Sequence, residues 1–442
     1  MPTFSATSLA LRNTYASPPL APARAVAART RGSMSAPGER LLSVAEAQAL
    51  ALAPVRALGA ERVMLADALG RVLAEDLVAG ADVPPHDNSA MDGYAVRAVD
   101  GRPGARLRVI GEVAAGHIAT RALAAGEAYR IMTGAPIPPG ADAVVMQEHT
   151  TRDGDFVQLA NAVGAGDHVR LHGEDLRAGN VVLARGLTLD AAAIGVAASA
   201  RRSLLAVTRR PRVAVVSTGD ELRAIDQPLD AGAIAESNSW ALAALVRDAG
   251  GIPTTLPIAP DDPERIADAL REAARADLAV TTGGVSVGDH DLVKPALAAL
   301  GATLNAWRVD MKPGKPVALA VLNGTPLYGL PGNPASAMVA FLLFVRPAIR
   351  AAQGCAEPFD LPRVRVRLAT PLTTRGERRN YVRARITLDG DGRLQATPLT
   401  RQGSGALTSM RGANALLVVD AGPRQFAVGD ELAALLVGPL VG

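Results

Sequence analysis

The chain changes hydrophobic rhythm along its length. At 43–58 the run SVAEAQALALAPVRAL repeats apolar positions at helical spacing, with Ser43 placed to cap the helix and Glu46 to complete a capping box. A proline-rich loop, ADVPPHDNSAMDGYAV, follows at 81–96. Between 104 and 186 the pattern becomes short alternating runs, RLRVIGEV, AYRIMTG, DAVVMQEH and DFVQLA, separated by Gly, Pro and Asp turns. That spacing predicts a small β domain inserted into a chain that resumes beyond it.

After Arg210-Pro211 buried strands alternate with helices. RVAVVS reads as a strand, NSWALAALVRDAG as a helix ending at Gly250, TTLPIA as a strand, and DDPERIADALREAARA as a helix capped by Asp262 with Pro263 in its first turn. LAVTT, a helix near 292–300, two strands around PGKP and the helix SAMVAFLLFVRPAIRAA complete the series. Alternation of this kind predicts a parallel sheet covered on both faces. Beyond residue 358 the runs RVRVRLA, NYVRARITL, ALLVVD and ELAALLV predict a small C-terminal β domain. The expected fold is therefore multidomain α/β, with a central parallel-sheet domain, an inserted β domain and a C-terminal β domain.

Length supports this division, since 442 residues exceed what one hydrophobic core fills. Only 3% of residues are aromatic, so the core is built mainly from Ala, Val and Leu. Eight arginines stand against the single acid Glu377 between 361 and 385, a patch for a small anion or a plain solvated face. It lacks the interleaved aromatics of single-strand binders, so no nucleic acid partner is expected. No apolar run reads as long enough to cross a bilayer, so no membrane partner is expected either. The lone Cys355 excludes an intramolecular disulfide and suits a reducing cytoplasm. Residues 1–38 carry Arg12, Arg24, Arg29 and Arg31 and no acid. They resemble an organelle transit peptide, or, in the preferred reading, a disordered extension ahead of a start at Met34.

The chemistry concentrates at 278–334. Lys294, Lys312 and Lys315, the only lysines among 46 basic residues, all lie there, in or beside loops TTGGVSVGDHDLVK, DMKPGKP and GLPGNP that follow strand-like runs. Lysine is a compact point charge, suited to an oxyanion. Ser217-Thr218-Gly219-Asp220-Glu221 follows RVAVV in the same way that Thr282-Gly283-Gly284-Val285-Ser286 follows its own strand. Glycines let a ligand approach the backbone, and hydroxyls with free amides cradle an anion beyond the carboxyl ends of parallel strands. Neither loop fits a Walker A or a dinucleotide fingerprint, which favours a mononucleotide or phosphorylated pterin. Glu221, Asp289 and Asp291 offer a Mg²⁺ shell, or act as caps and turn formers. Asp87 and Asp92, beside Asn88 and Ser89, read first as Asx turns, and the Glu174-Asp175 pair as surface charge or cation ligands.

Taken together, DNSAMDGYAV at 87–96, MTGAP at 132–136, GED at 173–175, STGDEL at 217–222, TGGVSVGDHD at 282–291, KPGKP at 312–316 and GLPGNPAS at 329–336 resemble, in order, the segments of the MoeA family of molybdopterin molybdenumtransferases, which includes the C-terminal domain of gephyrin. The resemblance covers residues 39–442 and implies four domains. Segments 39–80 and 172–209 would form a discontinuous helical and mixed domain, 81–171 the inserted β domain, 210–358 the pterin-binding α/β domain and 359–442 the C-terminal β domain. It implies a homodimer with a composite active site in which Asp92 and Thr133 act across the interface. The implied reaction inserts molybdate into adenylylated molybdopterin with Mg²⁺, releasing AMP and molybdenum cofactor.

By the same resemblance Thr133, Ser217, Thr218, Gly219, Asp220, Thr282, Gly283, Gly284, Ser286, Pro331, Asn333 and Pro334 would bind the pterin substrate. Lys312, Lys315, Ser336, Arg383 and Ser404 would receive molybdate. Asp92, Glu221, Asp261 and Asp291 would serve catalysis, and Asp92, Asp175, Glu221 and Asp291 the metal. A molybdopterin adenylyltransferase and a recipient molybdoenzyme are the implied protein partners. The alternatives are an adenylyltransferase acting one step earlier, or a non-enzymatic scaffold of the gephyrin kind.

Overall fold

A computed structural model describes residues 41–285 and 292–440, apart from the Trp307 side chain. Residues 1–38 and the loop positions Ser286, Asp289 and Asp291 named above lie outside the described residues.

The capping box at Ser43 forms. Its hydroxyl accepts the Glu46 amide at 3.2 Å, and the Glu46 carboxylate accepts the Ser43 amide at 2.9 Å. Such a cap is worth about 1 kcal/mol and starts the helix Val44–Leu52. Val44, Ala47 and Ala51 make one stripe, which packs into the core of the α/β domain, where the Tyr328 hydroxyl donates to the Ala51 carbonyl at 2.8 Å. The sequence reading assigns this helix to the 39–80 segment of the discontinuous domain; it packs against the α/β domain, on the helical stretch 341–352 and the strands Thr303–Arg308 and Pro316–Leu322. Strand Ala60–Met64 then pairs antiparallel with Leu204–Thr208, and helix Ala191–Ser199, capped by Asp190, covers a separate small core around Leu73, Leu189, Ala197 and Val207.

The inserted segment is a six-stranded sheet, antiparallel except where Arg106–Val113 runs parallel to Glu127–Ile131. The period-two pattern sends Tyr94 and Val96 to one core and Ala95 to the other. Gly93 is required by space, since a Cβ there would lie 1.9 Å from the Val145 carbonyl oxygen.

The central sheet has the order Ile252–Thr255, Arg212–Ser217, Leu278–Thr282, Thr325–Leu330, Pro316–Leu322, Thr303–Arg308. Val213 and Val215 face one core while Ala214 and Val216 face the other, so the strand is apolar throughout because both faces are covered. The first four strands are parallel, but Pro316–Leu322 runs antiparallel to both its neighbours, Thr325–Leu330 and Thr303–Arg308. This departs from the all-parallel expectation, and the cause is local. Asn323 and Gly324, with φ of 52° and 86°, form a two-residue turn that pairs Leu322 with Thr325, a hairpin geometry that Asn-Gly favours. Registers Ser217↔Thr282 and Thr282↔Leu330 align the carboxyl ends of the three central strands, and so set three loops side by side.

Helix Pro334–Ala352 corrects the statement that no segment could span a bilayer. It is long and apolar enough by length and composition, yet 78% of that stretch is buried in the protein core. Its middle turn, Phe341–Val345, is π-helical. Pro347 has no amide for the Leu343 carbonyl, which instead accepts Gln48 Nε2 from the first helix at 3.2 Å.

Five C-terminal strands close into a barrel, Ala415–Val419 pairing back onto Arg379–Leu388. On Arg363–Leu368 the arginines alternate outward against inward Val366 and Leu368, which explains much of the basic patch as the barrel's solvent face. Met311–Lys312 joins the barrel edge parallel to Arg379–Asn380, fixing the lysine loop between the two domains.

Candidate active site

Two adjoining cavities lie beyond the aligned strand ends. The first, of about 490 Å³, is built by the three loops. Gly283 and Gly284 adopt φ of +93° and +63°, and a Cβ on Gly283 would fall 2.4 Å from the Thr218 carbonyl oxygen, so this backbone requires glycine. The Thr218 amide donates to the Thr282 carbonyl at 3.0 Å, and the Gly283 amide to the Leu330 carbonyl at 3.2 Å. Thr218 itself is 4% exposed, and its hydroxyl has no hydrogen-bond partner among the described residues. A buried hydroxyl left open on a cavity wall is suited to a ligand polar group.

The floor is Glu236, 4% exposed. One carboxylate oxygen accepts the Ser217 hydroxyl at 2.9 Å and the Ser239 amide at 2.8 Å, and the other accepts the Ser239 hydroxyl. Asn238 Nδ2 donates to Thr282 Oγ1 at 2.9 Å and to the Gly332 carbonyl at 2.7 Å, tying the loops together. On the rim, Asp220 and Asp261 each accept the other's amide, at 2.9 and 3.3 Å. Asp261 and Glu221 face the cavity. Among the described residues its lining carries three carboxylates and no lysine or arginine.

The second cavity, of about 890 Å³, shares Pro316, Pro331 and Asn333 with the first. Arg308, Lys312, Lys315 and Arg378 line it with Ser336, Gln402 and Ser404, and no carboxylate does among the described residues. Gly314, at φ +101°, turns the lysine loop, and the Val309 amide donates to the Lys315 carbonyl at 2.9 Å. The Ala335 amide donates to the Ser404 carbonyl at 2.9 Å, joining barrel loop to helix start. Arg378 also donates to the Met311 carbonyl at 3.0 Å.

Of the residues expected to hold substrate, Ser217, Thr218, Gly219, Thr282, Gly283, Gly284, Pro331, Asn333 and Pro334 line the first cavity, and Asp220 braces it through Asp261. Lys312, Lys315, Ser336 and Ser404 meet in the second.

Arg383 does not line that second cavity. Val382 and Ala384 point into the barrel, which leaves Arg383 on the outer wall, where the 399–409 segment folds over it. It is 1% exposed and donates to Ser409 Oγ at 3.2 Å and to the Gly403 carbonyl at 3.0 Å, supporting the Ser404 loop from behind. Burial pushes its guanidinium below the ordinary arginine value.

Asp92 and Thr133 pair with each other in the inserted domain and line neither cavity. Asp92 Oδ1 accepts the Thr133 amide and hydroxyl, both at 2.7 Å, which with Arg130 hold its carboxyl below the usual carboxylate range. Asp175 also lines neither cavity; its amide caps the turn against the Val83 carbonyl at 3.0 Å. Of the expected metal set, Asp92 and Asp175 lie apart from Glu221 at the cavity and Asp291 is outside the described residues, among which no group of three or more His, Cys, Asp or Glu is poised to hold an ion.

Sequence reasoning missed Glu236, Asn238, Arg308 and Arg378. Glu236 just ahead of the helix Asn238–Asp248 gave a cap-like signal. The two arginines, among so many, gave none.

Residues 42–200 match the MoeA N-terminal region (domain I and II), 214–351 a probable molybdopterin binding domain, and 365–437 the MoeA C-terminal region (domain IV). A molybdopterin molybdenumtransferase of a Nostoc species is 40% identical over 385 residues, covering 85% of this chain and 88% of that protein. Molybdopterin molybdenumtransferase 2 of Mycobacterium tuberculosis is 41% identical over 348 residues, covering 76% and 86%. The crystal structure of a molybdopterin biosynthesis MoeA protein from Pyrococcus horikoshii superposes with a TM-score of 0.77 at 30% identity, over 90% of this chain and all of that one.

Proposed function

The chain belongs to the MoeA family of molybdopterin molybdenumtransferases, and on that premise we propose that it joins molybdate to adenylylated molybdopterin, releasing AMP and molybdenum cofactor. It is a transferase of molybdenum cofactor biosynthesis. The observation that carries the finer reading is the shared wall. A carboxylate-lined cavity with a hydroxyl and amide cradle opens beside a cation-lined one, so a phosphate-bearing pterin and a tetrahedral dianion would lie next to each other.

The Thr218 hydroxyl and the backbone at Gly283 and Gly284 would bind the adenylate's polar groups. Ser217 and Asn238 are held by Glu236, Thr282 and Gly332, and so keep the cradle in shape. Glu221 and Asp261 suit Mg²⁺, which takes one or two carboxylates together with phosphate oxygens. When bound, the ion offsets the phosphoanhydride charge. Lys312, Lys315, Ser336 and Ser404 would orient molybdate through charge-assisted hydrogen bonds. Cleavage of the phosphoanhydride, by water or a molybdate oxygen, then frees AMP.

Asp92 and Thr133, which face neither cavity of their own chain, are proposed to act on the first cavity of a second copy. The proposed setting is the cytoplasm, where buried Cys355 stays a free thiol. The test is AMP release from adenylylated molybdopterin, with and without molybdate. Molybdate-dependent release is expected; turnover only with unmodified molybdopterin and ATP would overturn the assignment. Mixing Asp92→Asn and Glu221→Gln chains tests the composite site, since activity should return in the mixture.

A further inference from the structure

We propose that Arg308 is an additional recognition residue for the oxyanion, a contact that no motif of the sequence marks; the proposal rests on reading the second cavity as the molybdate site. Arg308 closes the strand Thr303–Arg308 and lines that cavity beside Lys312 and Lys315. Its backbone is braced: the Leu42 amide donates to its carbonyl at 3.2 Å, the Asp310 amide returns to Leu42 at 2.7 Å, and Pro316 is its register partner. The side chain therefore issues from a fixed point.

Its guanidinium is unsatisfied. Arg308 Nε is buried without an acceptor, and the guanidinium has no hydrogen bond or ion pair among the described residues. Arg308 as a residue is half-buried, and the two buried arginines among the described residues are provided for: Arg71 donates to Glu61 and the Thr208 carbonyl, and Arg383 to Ser409 and Gly403. A buried charged donor without a partner is costly, so it implies an acceptor supplied from outside. Among the described residues the cavity wall holds no carboxylate to fill that role. A tetrahedral dianion has oxygens to spare after two lysines have bound, and arginine's planar fork fixes its orientation in a way that point charges do not.

The test is calorimetric titration of sodium molybdate into the full chain and into Arg308→Gln, Arg308→Lys and Lys315→Ala. Arg308→Gln should weaken molybdate binding by about tenfold or more, the effect of losing a charge-assisted hydrogen bond. Arg308→Lys should recover only part of that loss, because it keeps the charge but not the Nε donor. Affinity for AMP with Mg²⁺ should stay within about twofold in both. Molybdate affinity unchanged in Arg308→Gln while Lys315→Ala loses it would overturn the role of Arg308 alone. Affinity unchanged in both would overturn the reading of the cavity as well. If Arg308→Gln lacks a cooperative thermal transition, Arg308→Lys decides, and binding equal to that of the unaltered chain counts against the proposal.

Discussion

Among the described residues the first cavity presents Glu221, Glu236 and Asp261 and no cation, whereas the second, across the shared Pro316, Pro331 and Asn333, presents Arg308, Lys312, Lys315 and Arg378 and no carboxylate. Both are proposed to hold anions, so the contrast shows two ways of binding one. In the second cavity fixed positive charge would meet the oxyanion directly. In the first, amides and a hydroxyl supply hydrogen bonds, and acids would attract phosphate only through a divalent ion. Such a division would keep the two anions from exchanging places, since bare molybdate would be repelled from one wall and Mg²⁺ from the other.

The largest expected break is at Glu221. Glu221→Gln should slow AMP release by about 100-fold or more by weakening the cation site, with molybdate affinity unchanged. Chelating Mg²⁺ should do the same to the unaltered chain. Loss of both bindings in a single-turnover and calorimetric comparison would mean the two walls are not independent.

Next is Gly283→Ala. With φ at +93° and Thr218 O 2.4 Å from the new Cβ, it should destabilise by about 1–3 kcal/mol. It should also cost about tenfold or more in adenylate affinity while sparing molybdate binding. Thermal melting and calorimetry together separate the two effects.

Lys315→Ala should raise the molybdate concentration for half-maximal turnover about tenfold and leave the saturated rate nearly unchanged. A fall in the saturated rate alone would make that lysine a participant in the chemical step instead.

The smallest effect concerns Asp92, which lies on neither wall. Its carboxyl is held low by Thr133, so its pairing contributes above the ordinary carboxylate value of about 3.9 and is lost as pH falls through the lower folded value. Thr133→Val removes the hydroxyl donor, and carboxyl-carbon NMR should show the Asp92 value moving up toward the ordinary one. No movement would show that the Thr133 amide alone sets it.

What the sequence disclosed follows from how local each cause is. The Ser43 and Glu46 box and the Asp262 and Pro263 helix start involve neighbours within three residues and form as read. The Gly283 and Gly284 loop was legible because only glycine takes that backbone. The Asn323-Gly324 hairpin was equally local, and its signal for antiparallel strands was written in two residues that the alternating strand and helix pattern overshadowed. Glu236 is different, since its importance lies in burial and in a bond to Ser217, 19 residues away. Arg383 and Arg308 show the same limit in opposite directions. One is buried by a folded-over segment and supports the site from behind, and the other faces the cavity because a distant strand end aims it there. Neither fact is present in the arginine itself.

Anomalous diffraction at the molybdenum edge from crystals of the full chain soaked with molybdate, with and without AMP and Mg²⁺, tests the division of labour between the two walls most directly. The predicted result is one molybdenum peak among Lys312, Lys315 and Ser404 in both soaks, with the nucleotide phosphate beside Thr218 and Gly283. A peak against Glu221 and Asp261, or none near the lysines, would contradict it.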